Sequence, residues 1–367
     1  MENSFENNNQ QLDEIAVSPV IIRRRINGGY GWASSIILWQ QLFATIAILV
    51  FSIVFSSVVT KQVAAENPGL STGEIIAKVQ EAALSSDYTI VSNAACMVIA
   101  NILAVAVVML ASMRVKLSRQ FKKPSCSAGT VGLAMLAIIG CQAASMFIQA
   151  IATALTGYTG MSEEMAGALS FSENAAVNVV LVLYAVILGP VLEEIMFRGL
   201  ALNMFAPANR TFALIVSSLL FGLMHMNFNQ IFNGFLLGLV LGYIALKSRS
   251  IIPAIICHIF ANGNAFLLSY IFEIRMGEQL GEETAAIYMM AAFAVELVIG
   301  IPALIALLKR QGKVKADDII TPEYVFEIDE AESKKLGWGL LVKNPVFWVS
   351  SAFCVIIAIT MLSPIAV

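Results

Sequence analysis

The stretch VILGPVLEEIMFRGLAL, residues 186–202, decides how this chain is read. Its apolar residues suit a helix that crosses a bilayer, yet Glu193, Glu194 and Arg198 fall inside it. A charged side chain at the bilayer centre costs at least about 2.5–3.5 kcal/mol on insertion scales. Three charges so close together need partners or a task.

The surrounding composition places the stretch in a membrane. The chain has 367 residues, of which 58% are hydrophobic and only 13% are Asp, Glu, Lys or Arg. A soluble chain carries about 25% charged residues, so this one cannot cover its surface with charge and most of that surface must face lipid. The net charge of −3 carries no nucleic-acid signature. Cys96, Cys126, Cys141, Cys257 and Cys354 are scattered without a CxxC pair and read as small reduced residues of membrane helices. The polar first 22 residues lack the apolar core of a signal peptide and read as a cytoplasmic tail.

Apolar runs long enough for about 30 Å of hydrocarbon predict an all-α polytopic bundle of about nine transmembrane helices, at 33–60, 89–112, 128–156, 174–203, 211–227, 230–247, 251–272, 285–308 and 346–366. Basic residues orient the array. Arg23–Arg25, Arg114 to Lys123, Arg210, Lys247 with Arg249, and Lys309 to Lys315 occupy alternate loops. The intervening loops carry Glu66, Glu74, Glu81 and Asp87, then Glu163, Glu164 and Glu173, then Glu278, Glu282 and Glu283. The N-terminus is expected in the cytoplasm. The chain divides into a tail at 1–30, three accessory helices at 31–173, a four-helix core at 174–272, and two further helices at 273–367. A charged cytoplasmic connector is expected at about 309–344.

Only two histidines exist, His225 and His258, and both fall within expected spans. At 1.5 Å per residue, Glu193 lies roughly 18 Å from the nearest basic end of its helix, His225 roughly 22 Å, and His258 and Asn262 roughly 14 and 20 Å. Four polar groups from three helices therefore share one layer, where they satisfy one another by converging. Glu194 and Arg198 stand four apart with the acid first, the favourable order for a helical ion pair, and read as structural. Glu193 points about 100° away from that pair and has no basic partner at i+3 or i+4. Phe221 and His225 share one helix face; His258 and Asn262 share another. A carboxylate beside an imidazole in a low-dielectric pocket is a general-base arrangement. A second imidazole with an amide can donate to a developing oxyanion.

The segments EEIMFRG (193–199), FGLMH (221–225) and HIFAN (258–262) resemble, in order, the EExxxR, FxxxH and HxxxN motifs of the CPBP family, the CAAX proteases and bacteriocin-processing enzymes. GPVLEE and SIIPAIICH ahead of the first and last extend the resemblance across roughly 174–272. It implies that Glu193 and His225 activate water, that His258 and Asn262 stabilise the oxyanion, and that Glu194 and Arg198 hold the site together. The family has also been described as metalloproteases, and Glu193, His225 and His258 would then be the zinc ligands. The favoured reading has no cofactor, because a zinc site would leave Asn262 without a role.

The function expected is an intramembrane endopeptidase acting on a membrane-associated or lipidated peptide, with a cavity open to the cytoplasm and a bacterial plasma membrane as its location. The alternatives are a non-catalytic scaffold or immunity-type protein of the same fold, and a transporter. The intact Glu/His/His/Asn set opposes the scaffold. No repeat or paired broken helices support the transporter. No HExxH, GxGD or GxSxG is present. Gly234, Gly238 and Gly242 form a small-residue face expected to pack the core. Glu296 is a second lone acid, with Gln142 or Asn101 as candidate partners.

Overall fold

The computed structural model describes residues 19–112, 115–156, 171–315, 318, 320 and 330–362. Arg114, the acids Glu163 and Glu164, most of the tail and the middle of the connector lie outside the described residues. Among the described residues the chain is all helical, without a strand. In chain order the helices are α1 (Pro19–Glu66), α2 (Thr72–Ala83), α3 (Ser86–Ser112), α4 (Ala128–Thr156), α5 (Ala175–Phe205), α6 (Arg210–Leu223), α7 (Phe228–Ser248), α8 (Ile252–Leu280), α9 (Glu282–Gln311), α10 (Glu330–Leu341) and α11 (Pro345–Leu362).

Seven of these are long and apolar enough to cross a membrane, and α10 with α11, bent by 60°, makes up to eight. Their outward faces are apolar: Leu49, Ile53, Val298 and Ile356 are all exposed. The chain is an integral membrane protein. The difference from nine lies chiefly at α6. Its 14 residues rise only about 21 Å, short of the hydrocarbon thickness. The sequence 211–227 reads as one long run because the following turn is itself apolar. The structure ends the helix at Leu223 and turns the chain through Met226, a non-glycine residue at φ 53°. Irregular backbone at membrane depth is tolerated only where protein surrounds it, and α6 is buried along most of its length.

The α6–α7 hairpin packs tightly because glycines line its seam. A β-carbon on Gly242 would sit 2.6 Å from Leu214 Cδ1, and one on Gly238 would sit 2.9 Å from Ser218 Cβ. The small-residue face thus does the packing expected of it. A second such seam, which the sequence did not suggest, joins α4 to α9: a β-carbon on Gly140 would lie 2.6 Å from the Gly300 Cα.

The first helix begins earlier than expected. Residues 19–30 are continuous with α1, and they bury Ile26 and Tyr30 rather than hanging free. The Tyr30 ring packs 5.2 Å from Phe205 and 5.5 Å from Phe212, centroid to centroid. This anchors the basic end of α1 on α5 and α6. The connector is fastened to the same end. Lys247 pairs with Asp318 at 2.6 Å, Tyr243 Oη donates to the Gly312 carbonyl at 2.6 Å, and Ser333 Oγ donates to the Ala208 carbonyl. The basic ends of α6 and α7 are thereby held by segments distant in sequence.

Candidate active site

The residues of the opening stretch sit on α5, and α5 is not a regular α-helix. Two π-helical segments, Leu183–Leu188 and Ile195–Ala201, flank the α-helical turn Gly189–Glu194 that carries both glutamates. Such segments widen the helix by one residue and recur at functional sites. Here Pro190 has a specific consequence. Gly189 N–H donates to the Tyr184 carbonyl, five residues back. The next donor in that register would be residue 190, but proline has no N–H. The Ala185 carbonyl is therefore left without a helical partner, and Asn262 Nδ2 of α8 donates to it at 2.9 Å. Asn262 thus ties α8 to α5 about two turns before Glu193.

Glu194 and Arg198 form the i,i+4 pair that the spacing predicts. Arg198 Nη1 donates to Glu194 Oε1 at 2.7 Å, and both side chains are fully buried. Arg198 is further satisfied by the Gly238 carbonyl at 3.2 Å, and its guanidinium lies 4.4 Å from the Phe221 ring centroid. A buried ion pair is best tolerated when its remaining hydrogens and lone pairs also find partners; here Arg198 is well supplied, while Glu194 Oε2 has no hydrogen-bond partner. The Phe221 ring stands edge-on to His225 at 5.3 Å and to His258 at 5.6 Å. The aromatic residue of the FGLMH segment is the wedge that separates the two imidazoles.

The structure adds a contact that helix faces did not reveal. Glu194 Oε1 also holds His258 Nδ1, at 2.9 Å. A carboxylate paired with arginine only accepts, so His258 carries its hydrogen on Nδ1 and turns Nε2 toward Glu193, whose Oε2 lies 3.7 Å away. That gap exceeds a direct hydrogen bond and suits a bridging oxygen. His225 is fixed in the same tautomer, with Nδ1 2.9 Å from the Phe221 carbonyl. Its Nε2 is left for chemistry. His225 lies just past the end of α6, in the turn rather than on the helix itself.

Glu193, His225, His258 and Asn262 all line one cavity of about 280 Å³. Glu194 and Arg198 lie behind its wall. Gln142 of α4 and Asn233 of α7 line it as well; neither is distinguished by a motif, and only the lone polarity of Gln142 within an apolar run could have signalled either. The wall runs past Ala185 on α5, Gln230 on α7 and Phe266 on α8. Each is on the side of the glutamate–histidine layer away from Arg210 and Arg249.

Glu296 meets neither Gln142 nor Asn101. Asn264 Nδ2 donates to its Oε1 at 2.6 Å, which links α8 to α9. As for zinc, among the described residues no three His, Cys, Asp or Glu side chains are grouped to hold a metal ion.

Comparison with known proteins agrees with the motif reading. The family model of the Rce1-like, type II CAAX prenyl endopeptidases matches residues 175–263, which contain all three motifs and run from α5 into the first part of α8. The resemblance to CAAX proteases therefore holds over this segment. "Putative membrane peptidase YdiL" of Bacillus subtilis (strain 168) is 24% identical over 177 residues, covering 48% of this chain and 68% of its own. No solved structure matches the chain.

Proposed function

We propose that this protein is an intramembrane endopeptidase of the CAAX-protease type that hydrolyses a membrane-associated or lipidated peptide without a metal. The carrying observation is the convergence of Glu193, His225, His258 and Asn262 on one cavity, backed by a buried Glu194–Arg198 pair. The bacterial relative is the reason to place it in a bacterial plasma membrane.

In this scheme a water donates its two hydrogens to Glu193 and to His225 Nε2, which aims an oxygen lone pair at the scissile carbonyl carbon. The oxygen–carbon bond forms as Glu193 takes a proton from the water. The negative charge moves to the former carbonyl oxygen, where His258 Nε2–H and the second Asn262 N–H donate to it. An amide nitrogen has two hydrogens, so Asn262 can hold Ala185 and the oxyanion together. For His258 to donate it must carry a second proton. Two carboxylates, Arg198 and an imidazolium then balance to zero charge, which a membrane interior favours. Glu193 returns its proton to the leaving nitrogen as the carbon–nitrogen bond breaks, yielding an amine and a carboxylic acid, whose remaining proton passes to His225 Nε2 to leave a carboxylate.

The deciding experiment incubates the reconstituted protein with a farnesylated C-a-a-X peptide, a leader-peptide substrate and a lipid-anchored peptide, and detects products by mass spectrometry. Release from at least one by the wild type, and from none by Glu193→Gln, is expected. No release from any would overturn the peptidase reading.

A further inference from the structure

Of the polar side chains in the cavity wall that have no part in the chemistry above, two are set apart by an unpartnered buried oxygen. Gln142 enters from α4 and Asn233 from α7. Each presents a buried carbonyl oxygen, Gln142 Oε1 and Asn233 Oδ1, that has no hydrogen-bond partner. Gln142 as a whole is only 8% exposed. Buried polar atoms are nearly always paired, and an exception asks for an explanation. In hydrocarbon surroundings the pressure to pair is greater still.

The chemistry of the two atoms limits what could meet them. Both are neutral acceptors, so they call for hydrogen-bond donors that bring no net charge. A peptide main chain entering this cavity has the complementary problem, because its N–H groups leave water and must find acceptors. In an extended strand successive N–H groups point to opposite sides, so acceptors on two different helices can engage one strand. Glu193 and the imidazoles are assigned to water and oxyanion, which leaves these two amides as the buried neutral acceptors that lack a partner in the cavity wall.

We propose, on the basis of the peptidase reading, that Gln142 and Asn233 accept hydrogen bonds from main-chain N–H groups of an extended substrate flanking the scissile bond. They determine recognition rather than bond cleavage. Gln142 lies outside the segment that matches the CAAX endopeptidase family, so an accessory helix contributes to substrate selection. The substrate class is then an unfolded or terminal peptide segment able to lie extended, not a helix whose N–H groups are already bonded internally.

The test uses the full chain in lipid nanodiscs with the three parent peptides named above. Whichever is cleaved is also prepared with single N-methyl groups on main-chain nitrogens around the cleaved bond. Gln142→Met and Asn233→Leu are expected to raise KM roughly tenfold or more with a smaller change in kcat. The melting temperature should hold or rise, because an unpaired buried acceptor is replaced by an apolar group of similar shape. N-methylation at one nitrogen should lower kcat/KM in the wild type and have no added effect in Gln142→Met; a second nitrogen should behave likewise toward Asn233→Leu. Unchanged KM in both variants, N-methyl effects identical in variants and wild type, or a fall in melting temperature with a matching fall in kcat would each overturn this assignment while leaving the peptidase intact. A wild type that cleaves no parent peptide would overturn both together.

Discussion

Glu194 Oε1 accepts from His258 Nδ1 at 2.9 Å and from Arg198 Nη1 at 2.7 Å. One oxygen thus joins the ion pair of α5 to the imidazole of α8. This changes what each glutamate should do when neutralised. Glu193→Gln removes the base but keeps shape, so peptide cleavage should vanish while the melting temperature in detergent stays within about 1 °C of wild type. Glu194→Gln should lower both, since it leaves Arg198 unpaired and frees the His258 ring. Equal behaviour of the two variants in both assays would contradict the division.

Arg198→Leu leaves a fully buried carboxylate without its counter-charge. Removal of one member of such a pair destabilises by about 3–5 kcal/mol. The double variant Glu194→Gln/Arg198→Leu should recover much of that stability yet remain slow, because His258 has lost its charged anchor. Chemical denaturation alongside peptide turnover separates the two effects.

In the proposed scheme Asn262 has two tasks, and Pro190 allows them to be separated. Asn262→Ala should slow turnover by about 10²–10³-fold as an oxyanion donor is lost. It should also cost about 1–3 kcal/mol by orphaning the Ala185 carbonyl. Pro190→Ala supplies the missing backbone N–H. In the Asn262→Ala background it should restore stability without restoring rate. Restored rate would reduce Asn262 to a purely structural tie.

Much of this site was legible because its logic is local. Glu194–Arg198 follows from i,i+4 spacing, and the lone Glu193 from the absence of any partner at that spacing. The Gly234–Gly242 stripe announced a tight helix contact in the same way. What stayed hidden depends on the approach of distant segments: the Glu194–His258 bond spans 64 positions, and the Gly140–Gly300 seam joins helices that no motif links. The length of α6 was misread for a different reason. Hydropathy cannot tell lipid from protein as the surroundings, so an apolar turn such as Leu223–Met226 reads as more helix.

The zinc question has a direct readout. Purified wild type exposed to a strong chelator should retain its rate, and elemental analysis should give well under one zinc per chain. Loss of activity reversed by stoichiometric zinc would make His225 and His258 ligands and would replace the water-activation scheme.

The Gly222 contact offers a test of geometry at His225. A β-carbon there would overlap the Ile231 carbonyl oxygen, and the His225 N–H donates to the Gly222 carbonyl at 3.1 Å. Gly222→Ala should therefore lower stability and cut kcat together, whereas Gly132→Ala on α4, where a β-carbon meets nothing within 4 Å, should change neither.

The partners of the Glu194–Arg198 pair also become available at different moments of synthesis. Glu194 lies on the same helix and is present as soon as α5 leaves the ribosome, while Gly238 follows 40 positions later and His258 lies 64 positions beyond Glu194. An insertion channel must release α5 into lipid before most of its final neighbours exist. Because the ion pair closes within a single turn, the helix can enter as a self-neutralised segment and wait. The same spacing that closes the pair in the folded site would then also ease insertion, and an Arg198→Leu chain arrested before α7 should be retained at the channel where the wild-type intermediate is released.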